Sequence, residues 1–207
     1  MDTNEWFQLL QQQLIHTSLT EWLVTGFGIA EVLLARRNSI WLYPTGIISV
    51  LLSMYLMLDV HLYAEGLLNT YYLVMSIYGW VAWGKAGPGK LAEISACSRQ
   101  ELLTAVLISG AGFLVLAILM GKYTDSDVPY WDAFVSSTAW AGMWLLARRK
   151  IENWIFLNIS NFFAVPLFLH KKLILLALLT IILFIVAVSG YLDWRKKLPK
   201  KTAPSAL

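Results

Sequence analysis

A unit of three apolar segments occurs twice in this chain, and that repetition limits the possible folds more than any other feature. Leu33-Leu34-Ala35-Arg36-Arg37 returns as Leu145-Leu146-Ala147-Arg148-Arg149, an offset of 112. Trp41 comes four residues after Arg37, and Trp154 five after Arg149. Each block then runs through two more apolar stretches and closes on Gly-x-x-x-Trp, Gly79 to Trp83 and Gly190 to Trp194, an offset of 111. Internal duplication of this kind marks transporters, with the substrate held where the two halves meet.

Composition places the repeat in a bilayer. Of the 207 residues 58% are hydrophobic and 14% charged, against roughly 25% charged in a soluble domain. Seven stretches are apolar enough to span, at about 19–35, 39–58, 62–83, 101–121, 130–147, 151–169 and 173–193. The Lys85-to-Lys90 run and the Gly121-to-Pro129 run are turn-rich breaks between them. The expected fold is an all-α membrane protein of seven transmembrane helices. Three spans leave the chain on the side opposite its start, so the fourth must carry it back before the second triplet begins. The repeats are then parallel, in a 3+1+3 order, with span 4 as linker; Leu102 to Met120 offers only Thr104 and Ser109 as side-chain hydrogen-bonding groups. The expected divisions are an extracytoplasmic segment 1–18, a first repeat 19–83, a linker region 84–129, a second repeat 130–194 and a basic tail 195–207.

Loop charge gives the orientation. One side carries 13 of the 16 lysines and arginines, among them Arg36, Arg37, Arg148, Arg149 and Lys150; the other carries only Lys122, Lys171 and Lys172. The positive-inside rule puts the 13 in the cytoplasm, the N-terminus outside and the C-terminus inside. Basic residues between apolar blocks form no stripe for nucleic acid. A single cysteine, Cys97, leaves no disulfide framework and no cysteine-based metal site. The polar residues 1–20 lack the form of a secretory signal peptide. No Walker loop, metal cluster or nucleophile–base pair is present, so the sequence predicts neither an enzyme nor a cofactor.

Polar side chains at membrane depth are costly unless they face a cavity or a partner. In span 6, Trp154, Asn158 and Asn161 share one helical face; in span 3, Asn69, Tyr72 and Ser76 do; in span 5, Ser137, Trp140 and Trp144. Asparagines also join helices, and tryptophans near span ends anchor at the interface; Trp140 is mid-span and reads as a cavity residue. Glu31 in span 1 either faces the cavity or serves Arg36 or Arg37. Asp132 reads as a cap on span 5, and Pro44 and Pro166 as kinks. Amides, aromatic planes and one carboxylate suit a small, flat, polar molecule, with cation–π gain if its ring is cationic. The candidate substrate residues are Trp154, Asn158, Asn161, Asn69, Tyr72, Trp140 and Glu31. An intramembrane enzyme would need paired ionisable groups at one depth, and Glu31 and Asp132 are predicted toward opposite faces.

Four motifs carry a family resemblance: Leu62-Tyr63-Ala64, Ile77-Tyr78-Gly79-Trp80-Val81-Ala82-Trp83, Pro129-Tyr130-Trp131-Asp132 and Arg149-Lys150-Ile151-Glu152-Asn153-Trp154. From about residue 20 to 195 the chain resembles the PnuC-type vitamin transporters. The resemblance implies a SWEET-like 3+1+3 architecture in a bacterial inner membrane. It also implies facilitated diffusion of an unphosphorylated vitamin, trapping by cytoplasmic phosphorylation, and a homotrimer. Nicotinamide riboside carriers of this family show Trp-x-x-Trp-x-x-x-Asn/Asp in span 6; here Leu157 takes the place of the second tryptophan and Asn158 follows. That pattern resembles the PnuT branch and implies thiamine as substrate, with nicotinamide riboside as the alternative and a sugar as a third reading from architecture alone. With no lysine or arginine buried at depth, a phosphorylated vitamin is expected to be excluded.

Overall fold

The computed structural model describes residues 3–59, 63–85, 93–124 and 126–199. The Ala86-to-Lys90 part of the first break, Leu62 of the Leu62-Tyr63-Ala64 motif, and Lys200 and Lys201 of the tail lie outside the described residues. Eight helices are present among the described residues: α1 (Thr3–His16), α2 (Leu19–Arg36), α3 (Leu42–Asp59), α4 (Tyr63–Gly84), α5 (Arg99–Tyr123), α6 (Pro129–Ala147), α7 (Asn153–His170) and α8 (Ile174–Lys197).

Local chemistry sets the helix ends. Ser18 with Glu21 forms a capping box at the start of α2, and Ser98 with Glu101 another at the start of α5. Pro129 opens α6 from a first-turn position that needs no N–H. Helices α2, α6 and α7 each end in a left-handed residue, Asn38 (φ 59°), Arg149 (φ 53°) and Lys172 (φ 58°). Each closes with the paired backbone bonds of a Schellman turn. Asn38 N–H reaches Ala35 O and Ser39 N–H reaches Leu34 O, while Arg149 N–H reaches Leu146 O and Lys150 N–H reaches Leu145 O.

Those bonds correct the register of the repeat. Asn38 corresponds to Arg149, Ala35 to Leu146 and Leu34 to Leu145, an offset of 111 throughout. The Leu-Leu-Ala-Arg-Arg identity is thus one residue out of step, and Tyr43, not Trp41, is the counterpart of Trp154. Side chains agree. The Ser49 hydroxyl donates to Val24 O at 3.0 Å, and the Ser160 hydroxyl to Val135 O at 2.8 Å. Tyr43 meets Trp83 edge to face at 5.1 Å, and Trp154 meets Trp194 in the same way at 5.6 Å. In both pairs the aromatic on the middle helix covers the glycine of Gly-x-x-x-Trp: a Cβ on Gly79 would collide with the Tyr43 ring, and one on Gly190 would lie 2.6 Å from Trp154 Cζ2. The glycines are there because the rings approach so closely.

Neighbouring helices close into a ring. α2, α3 and α4 pack in sequence, as do α6, α7 and α8; α4 then packs on α6, and α8 on α2. The two seams are reciprocal. Trp83 Nε1–H on α4 donates to Ala147 O at the end of α6, at 3.0 Å. Trp194 Nε1–H on α8 donates to Ala35 O and Arg36 O at the end of α2, at 3.1 and 3.2 Å. Both indoles satisfy carbonyls that a helix C-terminus leaves without intrahelical partners. Around them Ala35, Leu42, Tyr43, Trp83, Ile94, Leu146, Ile151, Trp154, Ala187 and Trp194 form a shared buried core. This core marks the arginine end of the molecule, where Arg36 also pairs with Asp193 at 2.7 Å. Helix α5 lies outside the ring against α6, through Ala105, Gly112, Leu116 and Met120 on one stripe.

At the opposite end Asp132 binds Lys171 at 2.6 Å and accepts the Ser126 hydroxyl, tying α6 to the α7–α8 turn. There the sequence reading missed a helix. The segment 1–18 contains α1, which meets α2 at 101° and packs on α8. By length and apolarity, α5 and α8 are the described single helices that qualify as membrane spans, and the bent α1–α2 pair qualifies together.

Candidate functional site

The seven candidate residues fall into three groups. The first lies between α2, α3 and α4. Glu31 fits against Gly46, where any Cβ would strike its carboxylate. It has no ion-pair partner among the described residues, and Arg36 is held by Asp193, so the reading in which it serves Arg36 or Arg37 is set aside. Tyr43 and Tyr72 are near enough to interact with it electrostatically. Asn69 lies one turn from Tyr72, half-buried and already engaged. Further along the same face Ser76 is 1% exposed, and its hydroxyl has no partner.

The second group bridges α4 and α6. Tyr71 stacks on Trp140 with centroids 4.4 Å apart, and its hydroxyl donates to Trp140 O at 3.0 Å. The indole also packs toward α5, its Cε3 3.2 Å from where a Cβ on Gly112 would stand. Trp140 Nε1–H is buried with no partner. The expected Ser137–Trp140–Trp144 face is therefore largely the α5 contact: Ser137 is fully buried and bonds Phe134 O, and Trp144 packs in the cluster of Ala105, Ala141 and Leu145.

The third group is on α7. Trp154 is fully buried under Gly190, with its Nε1–H unpartnered. A cavity of ~380 Å³ between α7 and α8 is lined by Trp154, Asn158, Phe162, Phe184, Val188 and Tyr191, almost wholly apolar. Asn158 Oδ1 is buried there without a partner. Asn161 does not line that cavity. Ser160 bonds α6 and Trp154 packs on α8; at 100° per residue, half-buried position 161 lies between those two contacts, about 20° from Trp154. The predicted single face of α7 is thus divided by the α7–α8 contact. Leu157 fills the α6–α7 crossing, its Cδ2 2.8 Å from where a Cβ on Gly142 would stand. Glu31 and Gly142 are repeat counterparts, as are Gly46 and Leu157, so each repeat fills this crossing from the opposite helix.

Tyr43 and Tyr71 were missed by the sequence reading. The repeat at its correct offset singles out Tyr43; nothing in the sequence distinguishes Tyr71 from its neighbour Tyr72. Arg149, read as a loop charge, is 4% exposed and lies 3.7 Å over the Trp83 ring. Burial lowers its basicity, and Tyr43 opposes that. It stays at the arginine end, and the described lysines and arginines all fall at or beyond helix ends. No grouping of three or more His, Cys, Asp or Glu suited to a metal occurs among the described residues.

Comparison with known proteins agrees with this architecture. A solved structure described as the vitamin B3 transporter PnuC superposes with a TM-score of 0.69, at 21% identity, covering 92% of this chain and 87% of its own. The nicotinamide riboside transporters PnuC of Escherichia coli (strain K12) and of Shigella flexneri are each 25% identical over 193 residues, 81% of this chain and 81% of theirs. The profile of the family described as "Nicotinamide mononucleotide transporter" matches residues 18–196. With that match over most of its length, the chain belongs to the nicotinamide mononucleotide transporter family, a family of membrane transporters.

Proposed function

We propose that the chain carries nicotinamide riboside across a bacterial inner membrane. The carrying observation is the family match over residues 18–196, joined to relatives named as nicotinamide riboside transporters. The expectation of thiamine gives way to this reading. It rested on Leu157 and Asn158, and both have another account: Leu157 packs a helix crossing, and Asn158 faces the α7–α8 groove. The unphosphorylated riboside is favoured over the mononucleotide because the described cations cluster at helix ends, away from the enclosed space.

In this reading α2 to α8 are the seven spans, arranged as parallel 3+1+3 repeats in the SWEET manner, with the arginine end cytoplasmic and α1 outside. The substrate sits inside the ring. Asn161 offers an amide to the carboxamide or ribose, Tyr72 offers aromatic surface, Asn69 a second amide, and Glu31 a counter-charge for the pyridinium, while Trp140, packed against α5, acts only through the Tyr71 ring stacked on it. Trp154 supports from behind, and Asn158 stands at the edge of the site. The two triplets rock against each other, breaking and remaking the indole–carbonyl seams at the cytoplasmic end. Movement is by facilitated diffusion with phosphorylation as the trap, and a homotrimer belongs to the same proposal. The test is a titration of the purified protein with nicotinamide riboside, its mononucleotide and thiamine, read by tryptophan fluorescence. Saturable binding of the riboside, at least roughly tenfold tighter than the other two, is expected; preference for thiamine or the mononucleotide would overturn the reading.

A further inference from the structure

We infer that a phospholipid binds beneath α1, with one acyl chain between α2 and α8 and its phosphate at the α7–α8 turn. Helices α2 and α8 are pinned together at the arginine end by Trp194 and by Arg36–Asp193. Toward the other end they enclose a cavity of ~630 Å³, lined mainly by leucines and isoleucines such as Ile29, Leu56, Leu176, Leu179 and Ile182. A cavity that size and that apolar suits a flexible hydrocarbon and does not suit a vitamin, which needs convergent polar groups. Its few polar residues, Gln13, His16, Thr17, Glu21 and Thr25, lie on α1, at the α1–α2 bend and in the first turns of α2.

The rim carries one cation open to a lipid phosphate, Lys172, while the Glu21 carboxylate that also lines the cavity is engaged in capping α2 at Ser18. Gln13 bonds Lys172 O at 2.6 Å and accepts Leu175 N–H at 3.0 Å, fixing α1 over the cavity mouth. At that turn Lys171 is consumed by Asp132, while Lys172 is exposed and in no ion pair among the described residues. Helix α1 runs at 101° to α2 and leaves Phe7 67% and Ile15 69% exposed. An amphipathic helix so turned lies along the membrane surface, at the depth of the headgroups. Chain, phosphate and interfacial helix therefore meet at one place.

The inference rests on the membrane reading but not on the substrate, and its test is separate from transport. The full chain, purified in mild detergent, is examined by native mass spectrometry and by phosphorus assay of its organic extract, with phosphatidylglycerol as the added probe after delipidation. The wild type is expected to retain phospholipid and to rebind the probe. Leu179→Trp, which fills the cavity, should lower retention by roughly tenfold, and Lys172→Gln by roughly fivefold, the scale of one surface cation on an anionic lipid. Thr25→Trp fills the same space from α2 and replaces Leu179→Trp should that variant not fold. Riboside titration of the same samples is expected to be unchanged, which separates failure here from failure of the carrier assignment. Equal phospholipid in wild type and both kinds of variant, or none in any, overturns the inference.

Discussion

The two asparagines of α7 show how one turn of helix separates roles. Asn158 and Asn161 differ by three positions, yet the first lines the apolar α7–α8 groove and the second does not. Asn161→Ala is expected to weaken nicotinamide riboside binding by roughly tenfold, the worth of one buried hydrogen bond. Asn158→Leu removes a buried carbonyl without a partner and should change affinity by less than about threefold while leaving stability equal or better; isothermal titration and thermal melting of both variants measure this. The reverse order of effects would return Asn158 to the centre of the site. Trp194 makes a second residue-level case. Trp194→Phe keeps an aromatic ring but removes the indole donor from Arg36 O and from Ala35 O, which keeps Asn38 N–H. A loss of about 1–3 kcal/mol is expected on denaturation in detergent. Trp83→Phe, its counterpart across the pseudo-repeat, should lose a similar amount.

Between residues and the whole lies the strap of residues 93–98, which the sequence presented only as loop. Ser95 N–H bonds Arg149 O at 3.1 Å and Ile151 N–H bonds Ser95 O at 3.0 Å, so the strap is paired to the turn between α6 and α7. Cys97 N–H bonds Glu152 Oε2 at 2.9 Å, and Lys150 and Arg148 both reach Glu101 at the start of α5, at 3.0 and 3.2 Å. Burial, then the hydrogen bond and charge of Glu152, push the Cys97 thiol up to about 12, with Lys150 opposing. The sign is that of an acid disfavoured as its anion: across neutral pH almost no thiolate forms, and alkylation should be slow and rise only toward strongly alkaline solution. Glu152→Gln removes a negative neighbour and loosens the strap, so maleimide labelling of Cys97 near pH 8 should accelerate several-fold; an unchanged rate would show that the strap does not depend on Glu152.

These elements also show what could be read beforehand. The duplication was legible because apolar blocks and paired Gly-x-x-x-Trp closures are composition and spacing. Its register was not, because Leu, Ala and Arg recur at helix ends and produced an identity one residue out of step. The seams between repeats were hidden for a different reason: an indole N–H bonded to a backbone carbonyl leaves a mark on one partner only. Helix α1 is rich in glutamine and lacks a strong apolar run, so its docking on the α7–α8 turn through Gln13 had no signature. Of the candidate site, the sequence named residue types; which helix contacts each one enters depended on packing directions that only tertiary contacts fix.

At the scale of the molecule the two ends of the ring differ, and that asymmetry has a consequence. Both cross-repeat seams, the shared tryptophan core and the Arg36–Asp193 pair lie at the arginine end. At the other end α2 and α8 part around a cavity. If the triplets rock to pass substrate, the arginine end must open, and tying α2 to α8 there should stop transport without closing the opposite entrance. Arg36→Cys with Asp193→Cys, in a Cys97→Ser background, places two thiols across the seam in place of an ion pair 2.7 Å long. Bridging them with a short bifunctional thiol reagent is expected to cut nicotinamide riboside uptake into proteoliposomes by roughly tenfold or more, with binding in detergent held within about threefold. A reagent whose bridge is cleaved by reductant should restore uptake when cleaved. Uptake that continues unchanged with the bridge in place would mean that α2 and α8 move as one body, and would shift the opening to the α4–α6 seam, where Trp83→Phe becomes the variant to follow.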